Sequence, residues 1–248
     1  MASVQQHHRW LQGLIIAAGV TALASGAWAT TYSAVNDFSI ASNPNGVWSY
    51  IYTPFTPPTS PSVLLPTTVG SPGSLEGWEI VTGGETGNVI MNDSGTTQTY
   101  STIVQPTNEL NLGPGAEFSV GVAFTAPVAG LYSITGDFVE LDTFATDHAD
   151  VAIKVGGTGV YSDTLTSYGQ DDPFDLLETL TLGESVHFFD VGGCGGITLC
   201  NGDAGLDVTI TNGISSVPEP PTLALFGAAL LGLGFIYRRR NVKIASIQ

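Results

Sequence analysis

The amino-acid sequence predicts an all-β ectodomain, an antiparallel β-sandwich of the jelly-roll type, between two apolar terminal segments. Apolar residues alternate with small or polar ones across 118–125, which is typical of a strand with one buried face. Similar alternation runs through 131–138, 150–155 and 206–211, and clusters of Gly, Pro, Asn and Asp separate these stretches. No amphipathic helical pattern occurs between the terminal segments, so the strand periodicity decides the fold class.

Residues 30–213 form the predicted ectodomain, a length that suits one domain with a hydrophobic core. Within it, residues 53–73 are rich in Pro, Thr and Ser, and we expect them to form a surface loop or an insertion. Five shorter stretches are further strand candidates: 35–41, 47–52, 98–104, 176–182 and 185–191.

The first 29 residues have the features of a secretory signal peptide. Arg9 follows a polar start, an apolar stretch occupies 11–24, and Ala27-Trp28-Ala29 supplies the small residues of a cleavage site. The sequence therefore predicts processing by signal peptidase and a mature chain that begins at Thr30. An N-terminal anchor that stays uncleaved is the alternative.

The C-terminal segment 214–248 combines three features that indicate a short membrane anchor. They are the acidic proline motif Val217, Pro218, Glu219 and Pro220, an uncharged apolar stretch at 222–237, and the cationic cluster Arg238, Arg239 and Arg240. A transmembrane helix over the apolar stretch would be shorter than the roughly 30 Å hydrocarbon core, and the arginines could reach the interface. Because positive charge stays on the cytoplasmic side, most of the chain is expected outside. A buried C-terminal helix of a soluble domain is the alternative.

This order of proline motif, apolar stretch and arginine cluster resembles the PEP-CTERM sorting signal of Gram-negative bacteria. The resemblance implies recognition by an exosortase, with cleavage near Pro218-Glu219-Pro220 and removal of the helix. It also implies export, a transient membrane anchor, and a final place at the cell surface or in the extracellular matrix of an exopolysaccharide-forming bacterium. The extension 241–248 is longer than such signals usually carry.

Three blocks of the ectodomain resemble a jelly-roll domain found in many secreted PEP-CTERM proteins. The opening block contains Asp37-Phe38-Ser39 and 43–50, the central block is 124–134, and the closing block is 205–211. Such domains resemble carbohydrate-binding modules in architecture, although architecture does not assign function. Where they often have a histidine before Pro-Gly, this chain has Gly113.

The ectodomain is strongly acidic. Residues 30–217 contain one basic residue, Lys154, against 21 acidic residues, which makes a net charge of −20 with neutral histidines. Such a surface repels nucleic acid and anionic lipid, which we exclude as partners, and attracts divalent cations. Solubility of a secreted protein is an equally simple explanation of this charge.

Acidic residues cluster within 137–150, 171–178 and 203–207. Because Ca²⁺ takes about six to eight oxygen ligands, these clusters could hold a structural calcium ion. The candidate ligands are Asp137, Glu140, Asp142 and Asp207. No EF-hand spacing is present, and solvated surface charge is the alternative.

The two cysteines, Cys194 and Cys200, flank a Gly-rich segment. In an exported protein a disulfide between them is the first interpretation. The alternative is a metal site that includes a histidine, for which the spacing is unfavourable.

Sugar recognition commonly uses exposed aromatic rings, and the candidates are Trp48, Tyr161 and Tyr168. Trp48 shares a strand face with Tyr50 and Tyr52, so these rings form either a binding platform or part of the core. Tyr161 and Tyr168 lie in loop-like stretches and are expected to be more exposed.

No nucleophile elbow, zinc-protease motif or phosphate-binding glycine loop is present, so we expect a non-catalytic protein. The sequence predicts an exported envelope or exopolysaccharide-matrix protein that acts by adhesion or by association with glycans. One alternative is a structural matrix component without a specific ligand, assembled by cation bridges between acidic faces. Another is a glycoside hydrolase, which needs two carboxylates about 5–10 Å apart in a cleft.

Overall fold

The computed structural model describes residues 29–54, 61–71, 73–144, 148–192 and 202–213. Their strands are β1 (Thr30–Ser33), β2 (Trp48–Pro54), β3 (Val63–Leu64), β4 (Thr67–Gly70), β5 (Leu75–Thr82), β6 (Glu85–Asn92), β7 (Gln98–Tyr100), β8 (Ile103–Gln105), β9 (Leu110–Gly113), β10 (Phe118–Thr125), β11 (Gly130–Glu140), β12 (Ala149–Val155), β13 (Thr158–Leu165), β14 (Asp171–Leu180), β15 (Ser185–Asp190) and β16 (Ala204–Asn212). These ranges contain no helix, and hence none long and apolar enough to cross a membrane.

Several predictions from the sequence fall on segments outside the described residues. These are the signal peptide, the disulfide between Cys194 and Cys200, the apolar helix at 222–237, and the proline and arginine motifs on either side of that helix. They stay predictions as far as the structure is concerned.

The described strands form two antiparallel sheets and a separate hairpin. The larger sheet has the order β14-β11-β16-β9-β6-β5-β4, with β1 also paired to β16, and the smaller has the order β13-β12-β15-β10-β2-β3. Strands β7 and β8 pair with each other, and Ile103 of β8 also forms an isolated bridge with Asp142. From β10 onward most successive strands change sheet, as in a jelly roll. The predicted antiparallel β-sandwich is confirmed.

The core lies between the two sheets and is rich in aromatic rings. Strand β10 has the alternation that the sequence showed: Phe118, Val120, Val122 and Phe124 all belong to the buried cluster between the sheets. Trp48 meets Phe124 edge to face, with ring centres 5.3 Å apart. Such contacts add to the stabilisation that burial of apolar area supplies.

Some predicted boundaries differ from the structure. Residues 53–73, expected to be a loop, contain the end of β2 and the short strands β3 and β4. The strand candidate 35–41 is wrong, because a turn closed by the Asp37 N–H on the Ser33 carbonyl (2.9 Å) starts there. The candidate 98–104 is two strands, interrupted at Ser101, which has a φ of 52°.

The hairpin of β5 and β6 was absent from the sequence prediction. Its two strands are joined at Gly83 and Gly84, whose φ angles are 62° and 89°. Positive φ at both central residues is what a tight type I′ hairpin turn requires, and glycine adopts it without steric cost. Gly77 and Gly87 within the strands obscure the alternation by which they would be recognised.

Candidate functional site

A continuous shallow groove runs along β12 and β13 on the outer face of the smaller sheet. Two cavities of about 450 and 430 Å³ lie side by side there, and both are lined by Ala152 and Ser162. The remaining lining residues are Asp150, Val151, Asp163, Thr164 and Val191 in the first cavity, and Lys154, Gly159, Val160 and Tyr161 in the second. We call this surface the β12–β13 groove.

Small residues and a bulge shape the groove floor. Ala152 and Ser162 are directly opposite each other in the β12–β13 pair, on the face away from the core. The register then shifts between Ile153 and Lys154, so that Lys154 pairs with Gly159. A bulge of this kind increases the local twist and re-aims neighbouring side chains.

One end of the groove is rich in hydrogen-bond acceptors. The Thr164 hydroxyl donates to the Asp150 carboxylate (2.6 Å), and the Thr164 backbone N–H donates to the Asp163 carboxylate (2.8 Å). Thr164 is exposed and Asp150 is half-buried, and the two are directly opposite each other on the outer face of the β12–β13 pair. Their oxygens can therefore accept hydrogen bonds from hydroxyl groups of a ligand.

The other end of the groove carries the single basic side chain of residues 30–217. The Lys154 ammonium lies 5.5 Å from the centre of the Phe189 ring, a cation–π arrangement. His187 packs edge-on against the same ring, and burial together with Lys154 lowers the pKa of His187. Donors at this end complement the acceptors at the other.

Tyr161 lines the groove, but much of its ring serves the fold. The ring stacks on Phe138 across the sandwich, with centres 6.5 Å apart and an interplanar angle of 14°, and it also packs against Phe174. Its hydroxyl donates to the Asp172 carboxylate on β14, and burial and this hydrogen bond raise the pKa of Tyr161. Tyr161 therefore joins the edges of the two sheets.

Two of the three aromatic candidates do not line the groove. Tyr168 lies between β13 and β14 and is 53% exposed. Trp48 is fully buried, and its indole N–H donates to the Asp37 carboxylate (3.2 Å). The role of Trp48 in a sugar-stacking platform is therefore corrected: it belongs to the core, as does Tyr50, which stacks on Trp78.

The four candidate calcium ligands do not come together. Asp137 and Asp207 are directly opposite on β11 and β16, but Glu140 lies on the inner side of β11 and is fully buried. Glu140 accepts the backbone N–H groups of Asp142 (3.1 Å) and Ala149 (2.9 Å). In the described part of the chain no three His, Cys, Asp or Glu side chains are grouped as a metal site. The predicted ligand set is therefore wrong as a single site.

Asp137 and Asp207 instead belong to an acidic row on the outer face of the larger sheet, together with Asp171 and Glu109. Burial, then Asp171 and Asp207, raise the pKa of Asp137 to about 6. Burial, then Asp137, Asp207 and Asp171, raise the pKa of Glu109 to about 7. Like charges opposite each other across strands repel, so this row favours protons or cations.

The groove residues themselves were missed by sequence reasoning. The alternation of Asp150, Ala152 and Lys154 on the polar face of β12 was visible in the sequence. The partner strand β13 was not recognised, because its exposed residues show no apolar alternation. Without the partner strand, a groove between the two could not be anticipated.

Comparison with known proteins identifies the C-terminal signal. Residues 216–240 match the PEP-CTERM protein-sorting motif, which confirms the resemblance seen in the sequence. The motif implies export in a Gram-negative bacterium, a transient membrane anchor and processing by an exosortase. No curated protein matches the chain.

Solved structures that resemble the chain include carbohydrate-binding modules. The CBM36-1 domain of a multidomain xylanase from the hindgut metagenome of Trinervitermes trinervoides has a TM-score of 0.31 and 16% identity, covering 50% of this chain and 94% of that one. A CBM36 module in complex with calcium and xylotriose has a TM-score of 0.30 and 18% identity, covering 46% and 90%. A family 35 module from Clostridium thermocellum has a TM-score of 0.29 and 13% identity, covering 75% and 98%.

Proposed function

We propose that this chain is an exported, non-catalytic protein whose ectodomain associates with a polysaccharide through the β12–β13 groove. The observation that carries the proposal is the groove itself, which has acceptors at the Asp150 end and a cation at the Lys154 end. Sugar hydroxyls donate and accept hydrogen bonds equally well, so a groove of mixed polarity suits them.

The dimensions of the groove suit a chain rather than a single small molecule. Asp150 and Lys154 are four residues apart on one strand, a distance of about 13 Å at the usual strand rise. The openness of the outer sheet face leaves both ends of the groove accessible to solvent. A polymer can therefore enter and leave along the strand direction.

The charge of the ectodomain narrows the class of polysaccharide. A net charge of −20 over residues 30–217 repels polyanions at long range. A neutral or cationic glycan approaches without that penalty. We therefore propose a neutral, hydroxyl-rich exopolysaccharide as the partner.

Processing would place the ectodomain where such a polymer accumulates. Signal peptidase would release the chain at Ala29, and an exosortase would remove the apolar segment after the proline motif at 217–220. The product is an ectodomain at the cell surface or in the matrix. A disulfide between Cys194 and Cys200 would close a loop that follows the groove residue Val191.

A structural matrix component without a specific ligand is the second candidate. It is favoured by the acidic row, in which Asp137 and Asp207 are directly opposite each other and could bind bridging cations from another copy. In that case retention on a polymer would not depend on the β12–β13 groove.

Filling the groove is expected to abolish association with the polysaccharide. Ser162→Trp places a large ring over the floor that both cavities share. Position 162 is exposed, so it can accommodate a larger side chain. We expect retention of the full chain, purified in mild detergent, on the producer's own exopolysaccharide to weaken at least about tenfold. Co-sedimentation with the polymer measures this.

The matched control is Thr135→Trp, an equally exposed strand position on the outer face of the larger sheet. It should bind as the original chain does, and both variants should keep the same melting temperature. Unchanged retention of Ser162→Trp would disprove the groove proposal. Loss of retention in EDTA in all three proteins would instead support cation bridging.

A further inference from the structure

Both ends of the ectodomain leave the sandwich at the same place. Thr30, at the start of β1, is directly opposite Asn212, at the end of β16. The predicted signal peptide precedes Thr30, and the PEP-CTERM motif at 216–240 follows Asn212 after a few residues. The two apolar terminal segments are therefore connected to one end of the ectodomain, which we call the terminal end.

Two loops lie at the terminal end and are hydrogen-bonded to each other, one between β10 and β11 and the other between β14 and β15. The Ala126 N–H donates to the Glu184 carbonyl (2.9 Å), and the Gly183 N–H donates to the Ala126 carbonyl (2.9 Å). The first loop lies beside the chain exit, because Asn212 pairs with Tyr132 near the start of β11. These contacts hold the two loops in a fixed arrangement.

Apolar side chains are exposed on these loops and on the strands next to them. Leu182 is 72% exposed, Leu177 61%, Val128 50% and Leu131 37%. Leu177 and Leu131 are diagonal neighbours on the outer face of the larger sheet, since Leu131 pairs with Thr179. We call the four exposed side chains the apolar corner. Clustered exposed apolar side chains, unlike single ones, indicate a surface that contacts a partner or a membrane.

A well-ordered turn presents Leu182 to solvent. The Glu184 carboxylate accepts the Thr181 N–H (2.8 Å) and hydroxyl (3.0 Å), and the Glu184 N–H donates to the Thr181 carbonyl (3.1 Å). Gly183 has a φ of 81°, which suits the third position of a type II turn. Proline and small polar residues usually form such turns, so the turn itself does not need a leucine at its tip.

The C-terminal segment keeps the apolar corner close to the membrane. The described part of the chain ends at Gly213, and eight residues, 214–221, separate it from the apolar stretch at 222–237. Eight residues span at most about 28 Å when fully extended. Until the C-terminal signal is removed, the terminal end therefore stays within about 28 Å of the bilayer that holds the apolar stretch.

The distribution of charge leaves the apolar corner free to meet lipid. No charged residue occurs from 126 to 131. On β14 the exposed acidic residue nearest to the terminal end is Asp175, and the acidic row with Asp137 lies further away. The β12–β13 groove is on the opposite sheet, so it faces away from a bilayer that touches this corner.

We propose that, before its C-terminal signal is removed, the ectodomain rests on the zwitterionic phospholipid surface of that membrane through the apolar corner. Four partly exposed aliphatic side chains offer much less area than the roughly 800 Å² per partner that a stable protein interface buries, so a second copy of the chain fits less well. The C-terminal anchor makes the lipid contact intramolecular, and a weak contact is then sufficient. This contact would hold the proline motif at 217–220 near the membrane surface until cleavage.

Photo-crosslinking of the full chain in lipid nanodiscs tests this contact. The discs contain phosphatidylcholine and a small share of a phosphatidylcholine that carries a photoreactive group in the upper part of its acyl chain. We expect label on the peptides that contain the apolar corner and little on the opposite end of the sandwich. Phosphatidylglycerol in place of phosphatidylcholine should reduce the label, because the net charge of −20 over residues 30–217 repels anionic lipid.

Leu182→Asp combined with Leu131→Asp should lower this label at least about fivefold, because both carboxylates would have to enter an apolar layer. The matched control is Val81→Asp, which changes a side chain that is 64% exposed beside the β5–β6 turn and should leave the label unchanged. That turn lies at the opposite end, since the Glu85 carboxylate accepts the Ala116 N–H (3.4 Å) just before β10 begins, whereas the apolar corner follows the end of β10.

Label that is absent from the apolar corner of the original chain, or equal at the two ends of the sandwich, would overturn the proposal. So would equal label in the original chain and in the double variant with an unchanged melting temperature. If the double variant does not fold, Leu182→Asp alone, in the exposed turn, gives the same comparison. Cross-links between two copies in place of lipid would also overturn it. The discs contain no polysaccharide, so these results are independent of the proposed glycan binding.

Discussion

Replacing Trp48 with alanine is expected to lower the free energy of unfolding by about 3–5 kcal/mol. The indole is fully buried between the sheets, packs edge-on against Phe124, and donates its N–H to Asp37. Truncation removes the buried apolar surface of the indole and leaves a cavity that the two sheets cannot close. It also removes the N–H group that donates to the Asp37 carboxylate. Urea unfolding at constant pH measures the loss.

Two further variants separate the core role of Trp48 from a surface role. Trp48→Phe keeps most of the apolar volume and loses the hydrogen bond, so we expect a cost of about 1–2 kcal/mol. Tyr168→Ala, at a position that is 53% exposed, should change stability by less than about 0.5 kcal/mol. A stable Trp48→Ala variant would contradict the buried position of this ring.

Raising the pH from 5 to 8 is expected to destabilise the ectodomain, in contrast to the usual behaviour of acid-sensitive proteins. Burial, then Asp203, raises the pKa of Asp190 well above its ordinary value, and burial, then the acidic row, raises the pKa of Asp137 to about 6. In the unfolded chain these carboxyls lose their protons near pH 4. The folded state therefore holds more protons across this window, and its stability falls as the pH rises through the folded pKa values.

The contribution of Asp137 can be isolated by Asp137→Asn, which has the same shape and cannot ionise. We expect it to gain on the order of 1 kcal/mol relative to the original chain at pH 8 and little at pH 4, after allowance for its partial exposure. Urea unfolding at fixed ionic strength, with a chelator present, measures both curves. Asp175→Asn is the control, and a stability that rises from pH 5 to pH 8 would contradict the argument.

Strand periodicity predicted the strands that carry one clean apolar face, such as β10 and β16. It failed where glycine interrupts the alternation, as in the β5–β6 hairpin, and where a strand has little buried surface, as in β13. Periodicity reports burial of a face, so a strand without a buried face leaves no signal. The turn glycines Gly83 and Gly84 were a usable signal for the missed hairpin.

The interpretation of Trp48 shows a second limit of sequence patterns. Alternation placed Trp48, Tyr50 and Tyr52 on one face of a strand, but the same pattern fits a face that is turned to solvent or to the core. The choice depends on the opposite sheet, whose rings such as Trp78 come from distant parts of the chain. The calcium ligands predicted from the sequence show the same limit. Asp137 and Glu140 are close in sequence, but they lie on opposite faces of β11.

The sequence by itself determined the sorting signal, the acidity of the ectodomain and the all-β class. A processing enzyme reads a linear motif, charge adds along the chain, and alternation is local, so none of these needs a folded partner segment. Only the tertiary structure decided where the β12–β13 groove lies and which acids meet in the row on the outer face of the larger sheet. Both are set by strand register, and register arises only when segments distant in sequence pair and bury a common core.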